Sequence, residues 1–220
     1  MEPETAFSEC RTAEKVRAAF ASLGLSCRTE QAITGLTADV RGRSDEATIA
    51  LMGELDAILL PDYPYADKAT GAAHACGHNV QLGALYGAAI GLVNSGAMRE
   101  LDGTVRLMAV PAEEGINISG REALIRAGKI KTFNGKQEFI RLGLFDGVSA
   151  ALMQHTSQGD KVSAGGAGGL CVVPKLVRYR GGSAHPVNAL TAARIGLDAV
   201  DHMVCLSPEW NACLGVPWPA

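Results

Sequence analysis

Strand-like and helix-like segments take turns along these 220 residues, and that alternation restricts the chain to an α/β sheet protein. "SECRTAEKVRAAFASLGL" carries Val16, Phe20 and Leu23 at helical spacing, with Ser8 placed to cap its start and Gly24 to stop it. "AITGLTADVRG" and "ATIALMGEL" flank the polar turn "RGRSDE" and predict two strands joined as a hairpin. Asn79 is placed to cap a helix running to about Val93. That segment, "VQLGALYGAAIGLV", is apolar nearly all round and rich in small residues, as a helix packed between layers would be. "GTVRLMAV" is a strand ended by Pro111, and "SGREALIRAG" and "GKQEFIRLG" are short helices. "GVSAALMQ" is a strand ended by His155. Gly-rich "SAGGAGG" is a loop, followed by strand "CVVPKLVRYRG" and helix "NALTAARIGLDAVDHM". Residues 204–220 change character, holding both Trp and three of the nine Pro, and fit no domain pattern.

Charge and hydropathy exclude two classes of partner. A net charge of −3 with no Lys/Arg-rich run leaves no electrostatic footprint for nucleic acid. The longest apolar stretch, Leu82 to Val93, is too short to cross a bilayer, so no membrane partner is expected. The N-terminal "MEPETAFSECRTAEK" is acidic and polar and lacks the apolar core of a signal peptide. Six scattered Cys suit a reducing compartment better than a disulfide framework, and the expected location is cytoplasmic.

The polar groups that could carry chemistry follow a rule of position. Glu54 and Asp56 come just after "ATIALMG", Glu113 and Glu114 just after "GTVRLMAV", and His155 just after "GVSAALMQ". In α/β sheets, sites form outside the carboxyl ends of the strands. "HACGHN", residues 74–79, adds two of the five His and one of the six Cys, in a loop that leaves Cys76 and His78 free to converge. Thiolate, imidazole and carboxylate are all ligands for divalent transition ions. Taken singly, each group has a plainer reading. Cys76 would be a small buried hydrophobe and Asp56 an exposed loop acid. Glu113 and Glu114 would be a solvated pair, His155 a satisfied strand end, and His74 and His185 loop residues. Two adjacent carboxylates behind a buried strand strain each other unless a cation is present. One can then bind the ion while its neighbour holds a proton. "GGAGG" lacks the Lys-Ser/Thr of a phosphate loop.

Read in order, "GELDA", "HACGHN", "PAEEG", "MQHTS" and "RYRGGSAH…NALTAA" resemble the metal-dependent amidohydrolase branch of the aminoacylase and carboxypeptidase-G-type metallopeptidases. That branch includes aminobenzoyl-glutamate and auxin-conjugate hydrolases. The resemblance runs from about Glu2 to Met203. It implies a zinc-exopeptidase-like α/β catalytic domain over residues 1–170, with layered helices around a mixed sheet. Residues 171–203 would then begin an α+β lid and dimerisation domain, followed by the atypical tail. It also implies two divalent metal ions (Zn, Mn, Ni or Co) held by Cys76, His78, Glu114 and His155. Glu113 would be the general base, Asp56 a carboxylate behind the ligands, and His185 a group that holds the oxyanion. A homodimer through a complete lid would follow. Three departures stand out: Asn79 replaces the usual Asp, "HPVNAL" follows His185 without the family's longer loop, and the family's later ligand His has no counterpart. The only later histidine, His202, lies in a predicted helix, so the chain is expected to be a truncated member.

The expected activity is hydrolysis of amide bonds in N-acyl amino acids or related small-molecule conjugates. Two rival readings stand beside it. One is a catalytically impaired product that binds metal weakly or pairs with a full-length relative. The other is a thiol hydrolase built on Cys76 and His78, which lie close along the chain for a nucleophile and base that normally converge from distant segments.

Overall fold

"TVRLMAV" is apolar on both sides of its pleat, and this dictates where it goes. Leu107 and Ala109 point one way, Met108 and Val110 the other, and all four are fully buried. A strand of that kind is stable only inside a sheet covered on both faces. The computed structural model describes residues 2–156 and 189–205 and places this segment, β6 (Thr104–Val110), at the centre of a five-stranded mixed sheet. Its companions are β1 (Cys27–Gln31), β2 (Gly35–Arg41), β3 (Thr48–Glu54) and β7 (Val148–Met153), in the order β1-β2-β6-β3-β7. A separate two-stranded ribbon pairs β4 (Ile58–Leu59) with β5 (Ala72–Ala73).

Helices cover both faces. On one side α1 (Cys10–Ser22) and α2 (His78–Asn94) contribute Phe20, Leu85 and Ala89 to a core with Leu36, Ala38, Val40, Leu107 and Ala109. On the other, Leu124 and Ile125 of α3 (Ile118–Arg126) and Phe139 of α4 (Gly135–Arg141) pack with Ala50, Met108, Val110 and Ile130. This is the α/β fold expected from the alternation, and its mixed sheet with layered helices is what the resemblance implied. The chain divides into two units, residues 1–164 and 165–220. In the second, α5 (Ala189–Cys205) is described, matching the expected helix. The expected strand over 171–181, the Gly-rich loop, His185 and residues 206–220 lie outside the described residues. Among the described residues, no helix is long and apolar enough to cross a membrane.

Three local expectations need correcting. β2 and β3 do not form a hairpin, because β6 lies between them, antiparallel to β2 and parallel to β3. The polar turn spends its backbone hydrogen bonds on the entry to β6: Gly42 N donates to Gly103 O, Arg43 N to Leu101 O and Thr104 N to Ala47 O. β2 instead pairs antiparallel with β1, across a turn in which Ala32 and Ile33 adopt positive φ. Neither predicted helix cap holds. The residue before α1 is the buried Glu9, and the residue before α2 is Gly77 at φ 107°, with the exposed Asn79 already in the first turn.

Candidate metal centre

β3 runs parallel to both β6 and β7, so the carboxyl ends of all three open on one edge of the sheet. Glu54 and Asp56 arrive there from β3, Glu113 and Glu114 from β6, and His155 from β7. Loop 74–77 and the start of α2 bring Cys76 and His78 to the same place. Gly77 makes that approach possible. Its left-handed φ admits few side chains, and a Cβ there would collide with the Thr156 side chain, whose hydroxyl donates to Cys76 O at 3.0 Å.

His78 is the centre of the arrangement and is almost fully buried. Its Nδ1 lies 2.8 Å from the main-chain oxygen of Asp56 and 3.2 Å from Asp56 Oδ1. Two acceptors at that nitrogen assign it a proton, which leaves Nε2 as the nitrogen a metal could take. Nε2 faces Glu54 Oε2 at 2.9 Å and Glu113 and Glu114 at 3.8 Å each. Asp56 also accepts from the Glu114 N–H at 2.9 Å, which ties the β6 loop to the histidine. The neighbouring histidine repeats the pattern: His155 Nδ1 sits 2.7 Å from Thr156 O, and its Nε2 is 3.5 Å from Cys76 Sγ.

Ligating atoms gather in two groups, Cys76–His78–His155 and Glu54–His78–Glu113, with the atoms of each within 4.8 Å of one another. His78 Nε2 and Glu114 Oε1 are buried without a well-directed hydrogen bond, although carboxylate oxygens stand close to the former. Buried lone pairs facing one another without donors are costly unless a cation sits among them. The donor set therefore fits a divalent metal ion.

Without an ion, the site holds protons that a metal would have to displace. Burial, together with Glu114, pushes the Cys76 thiol up to about 12, so without a cation it stays protonated. Reactive cysteines are shifted the other way. Burial alone would lower His78, but hydrogen bonds to Asp56 and Glu54 raise it to about 10, so without a cation Nε2 also carries a proton, one that a bound ion would displace. Burial would raise Glu54, but His78 and Lys136 bring it down to about 2. Burial and the Glu54 charge raise Glu113, with Lys136 opposing.

Every described residue of the predicted site reaches this edge. Sequence reasoning also noted Glu54 there but gave it no task, and it missed four supports. Gln81, one turn into α2, clamps Glu54 with two 3.0 Å hydrogen bonds, one to its main-chain nitrogen and one to its carboxylate. Glu9 accepts from Ala112 N at 2.8 Å and fixes the turn before the glutamate pair, where Ala112 adopts φ 53°. Arg121 is buried and donates to the carbonyls of Ala112, Phe133 and Glu114. Lys136 ion-pairs Glu54 and lies 3.9 Å from Glu113. Acids and histidines at strand ends announce themselves in sequence, whereas these supports carry no local signal.

Comparison with known proteins identifies a family. The model of peptidase family M20/M25/M40 matches residues 50–209. The chain is 32% identical over 157 residues to an N-acetylcysteine deacetylase of Bacillus subtilis, covering 70% of this chain and 36% of that protein. It is 28% identical over 214 residues to the IAA-amino acid hydrolase ILR1-like 4 of Arabidopsis thaliana, covering 92% of this chain and 44% of that one. The chain thus spans less than half the length of the curated relatives it matches. The Bacillus subtilis YXEP protein, a dinuclear metal-binding peptidase of the M20 family, superposes with a TM-score of 0.53 at 31% identity, covering 68% of this chain and 38% of that structure.

Proposed function

Since the chain belongs to peptidase family M20/M25/M40, we propose that it is a metal-dependent hydrolase of amide bonds in N-acyl amino acids or related small conjugates. The observation that carries this reading is the meeting of Cys76, His78 and His155 beside Glu113 and Glu114 at the carboxyl edge of the sheet. The N-acetylcysteine deacetylase and IAA-amino acid hydrolase relatives support the substrate class.

Cys76, His78, Glu114 and His155 are the proposed ligands. When bound, the metal polarises the scissile carbonyl and acidifies a water to a pKa near ~7. Asp56 fixes the His78 tautomer through Nδ1 and so aims Nε2 into the site. Glu113 takes the proton from the attacking water and returns it to the departing amine nitrogen. A carboxylate whose pKa is raised by burial suits that task, because it is a stronger base than a solvated glutamate. His185 is proposed to hold the developing oxyanion, and residues 171–203 to pair two copies of the chain; both lie mainly outside the described residues. Unpaired Cys10, Cys27 and Cys76 support a reducing, cytoplasmic location.

A thiol mechanism is disfavoured by the upward shift of Cys76. The deciding experiment measures release of free amino acid from N-acetyl amino acids by the purified 220-residue chain, before and after chelation and after restoring Zn²⁺ or Mn²⁺. Activity that disappears on chelation and returns with metal is expected. Turnover indifferent to chelation would overturn the proposal.

A further inference from the structure

The two groups of ligating atoms share His78, and His78 can serve only one of them. Its Nδ1 is committed to Asp56, at 2.8 Å from the main-chain oxygen and 3.2 Å from Oδ1, which leaves the single lone pair of Nε2. Joined to Cys76, His155 and Glu114, that nitrogen completes four donors, the number a tetrahedral ion takes. The charges also match, since one thiolate and one carboxylate neutralise one divalent ion. Glu54 and Glu113 are left over, and there the chain supplies its own cation. Lys136 Nζ ion-pairs Glu54 Oε1 and stands 3.9 Å from Glu113 Oε1.

The position of Lys136 is built into the fold. Asn134 Nδ2 donates to Glu113 O at 2.9 Å and Gly135 N to Ala112 O at 3.3 Å, so the first turn of α4 is fastened to the loop that carries the glutamates. Gly135 has to be glycine for this, because a Cβ would run into the Pro111 carbonyl. With an ammonium already between them, the two carboxylates keep a single net negative charge, too little to hold a second divalent ion beside the first.

On the footing of the metal-hydrolase reading above, we propose that Lys136 takes the place of a second ion. The chain binds one divalent ion through Cys76, His78, Glu114 and His155, and the Lys136 ammonium bridges Glu54 and Glu113 as the fixed second positive charge. In this arrangement Lys136 is a positioning residue that holds the Glu113 carboxylate beside the reacting water.

The test is a count of metal. The 220-residue chain is stripped with chelator, reloaded with Zn²⁺, freed of excess by gel filtration and analysed for zinc per polypeptide, with calorimetric titration alongside. One equivalent is expected for the wild type and for Lys136→Arg, and two for Lys136→Met. Glu54→Gln, which leaves the lysine in place, is expected to keep one equivalent, so the proposal is exposed to refutation even if the methionine variant does not fold. Two tightly held equivalents in the wild type would overturn it, as would a folded Lys136→Met that still holds one. No zinc in the wild type would overturn the metal reading itself, and this inference with it.

Discussion

Glu9 gives the most direct quantitative handle on how the centre is supported. Its carboxyl is fully buried, accepting from the Thr34 hydroxyl at 2.6 Å and from Ala112 N at 2.8 Å. Burial raises its pKa from 4.5 to about 7, with the hydrogen bond from Thr34 opposing and the nearby Asp56 charge adding to the rise. Between those two values the folded protein holds a proton that the unfolded chain has released. Stability from this group is therefore complete below pH 4.5 and is lost as pH rises through about 7. At about 1.4 kcal/mol for each pH unit, the loss amounts to about 3 kcal/mol. Glu9→Gln removes the titration but keeps the bonding, since the amide oxygen can accept from Ala112 N and the amide nitrogen can donate to Thr34 Oγ. Urea unfolding of the two proteins, measured in steps from pH 4.5 to pH 8, isolates Glu9 from groups such as Glu54 and His78 that titrate in both. The variant is expected to match the wild type near pH 4.5 and to exceed it by about 3 kcal/mol at pH 8. A difference that stays flat with pH would refute the reasoning, because the buried carboxyl would then not be titrating in this window.

Glu113→Gln deletes the proposed proton carrier but preserves its shape. Metal content is expected to stay within error of the wild type while turnover falls by about 10²–10⁴-fold. Loss of metal with this change would mean that Glu113 is a ligand and the roles of the two glutamates are reversed. Arg121→Met removes the buried donors to the Ala112, Phe133 and Glu114 carbonyls while roughly filling their space. Stability in urea is expected to drop by about 2–4 kcal/mol, and an unchanged midpoint would show that these contacts hold nothing together.

What could and could not be read from the sequence divides along a physical line. The strand that became β6 was recognisable from its apolar run and from the proline after it. The acids and histidine beyond three strand ends could be assigned to one edge, because parallel strands share a carboxyl side. Those signals are local: each depends on a residue type at a fixed offset from its own segment. Apart from the two helix caps, the failures depend on partners far along the chain. "RGRSDE" has the composition of a hairpin turn, yet its backbone hydrogen bonds go to residues 101–104, so a strand from the middle of the chain separates β2 from β3. Glu9 looks like an exposed acid at a helix start, and only the packing of residues 32–34 and 112 against it makes it a buried support. Lys136 looks like a solvated residue in "GKQE" until Gly135 brings α4 onto the Pro111 carbonyl. Acids at strand ends cannot remain close together without compensation, so a local reading that finds Glu54, Glu113 and Glu114 at one edge also requires positive charge nearby. It cannot say whether that charge is a metal or a side chain. That choice is made by a tertiary contact, the seating of α4 on the β6 loop, which places an ammonium between two of the three carboxylates.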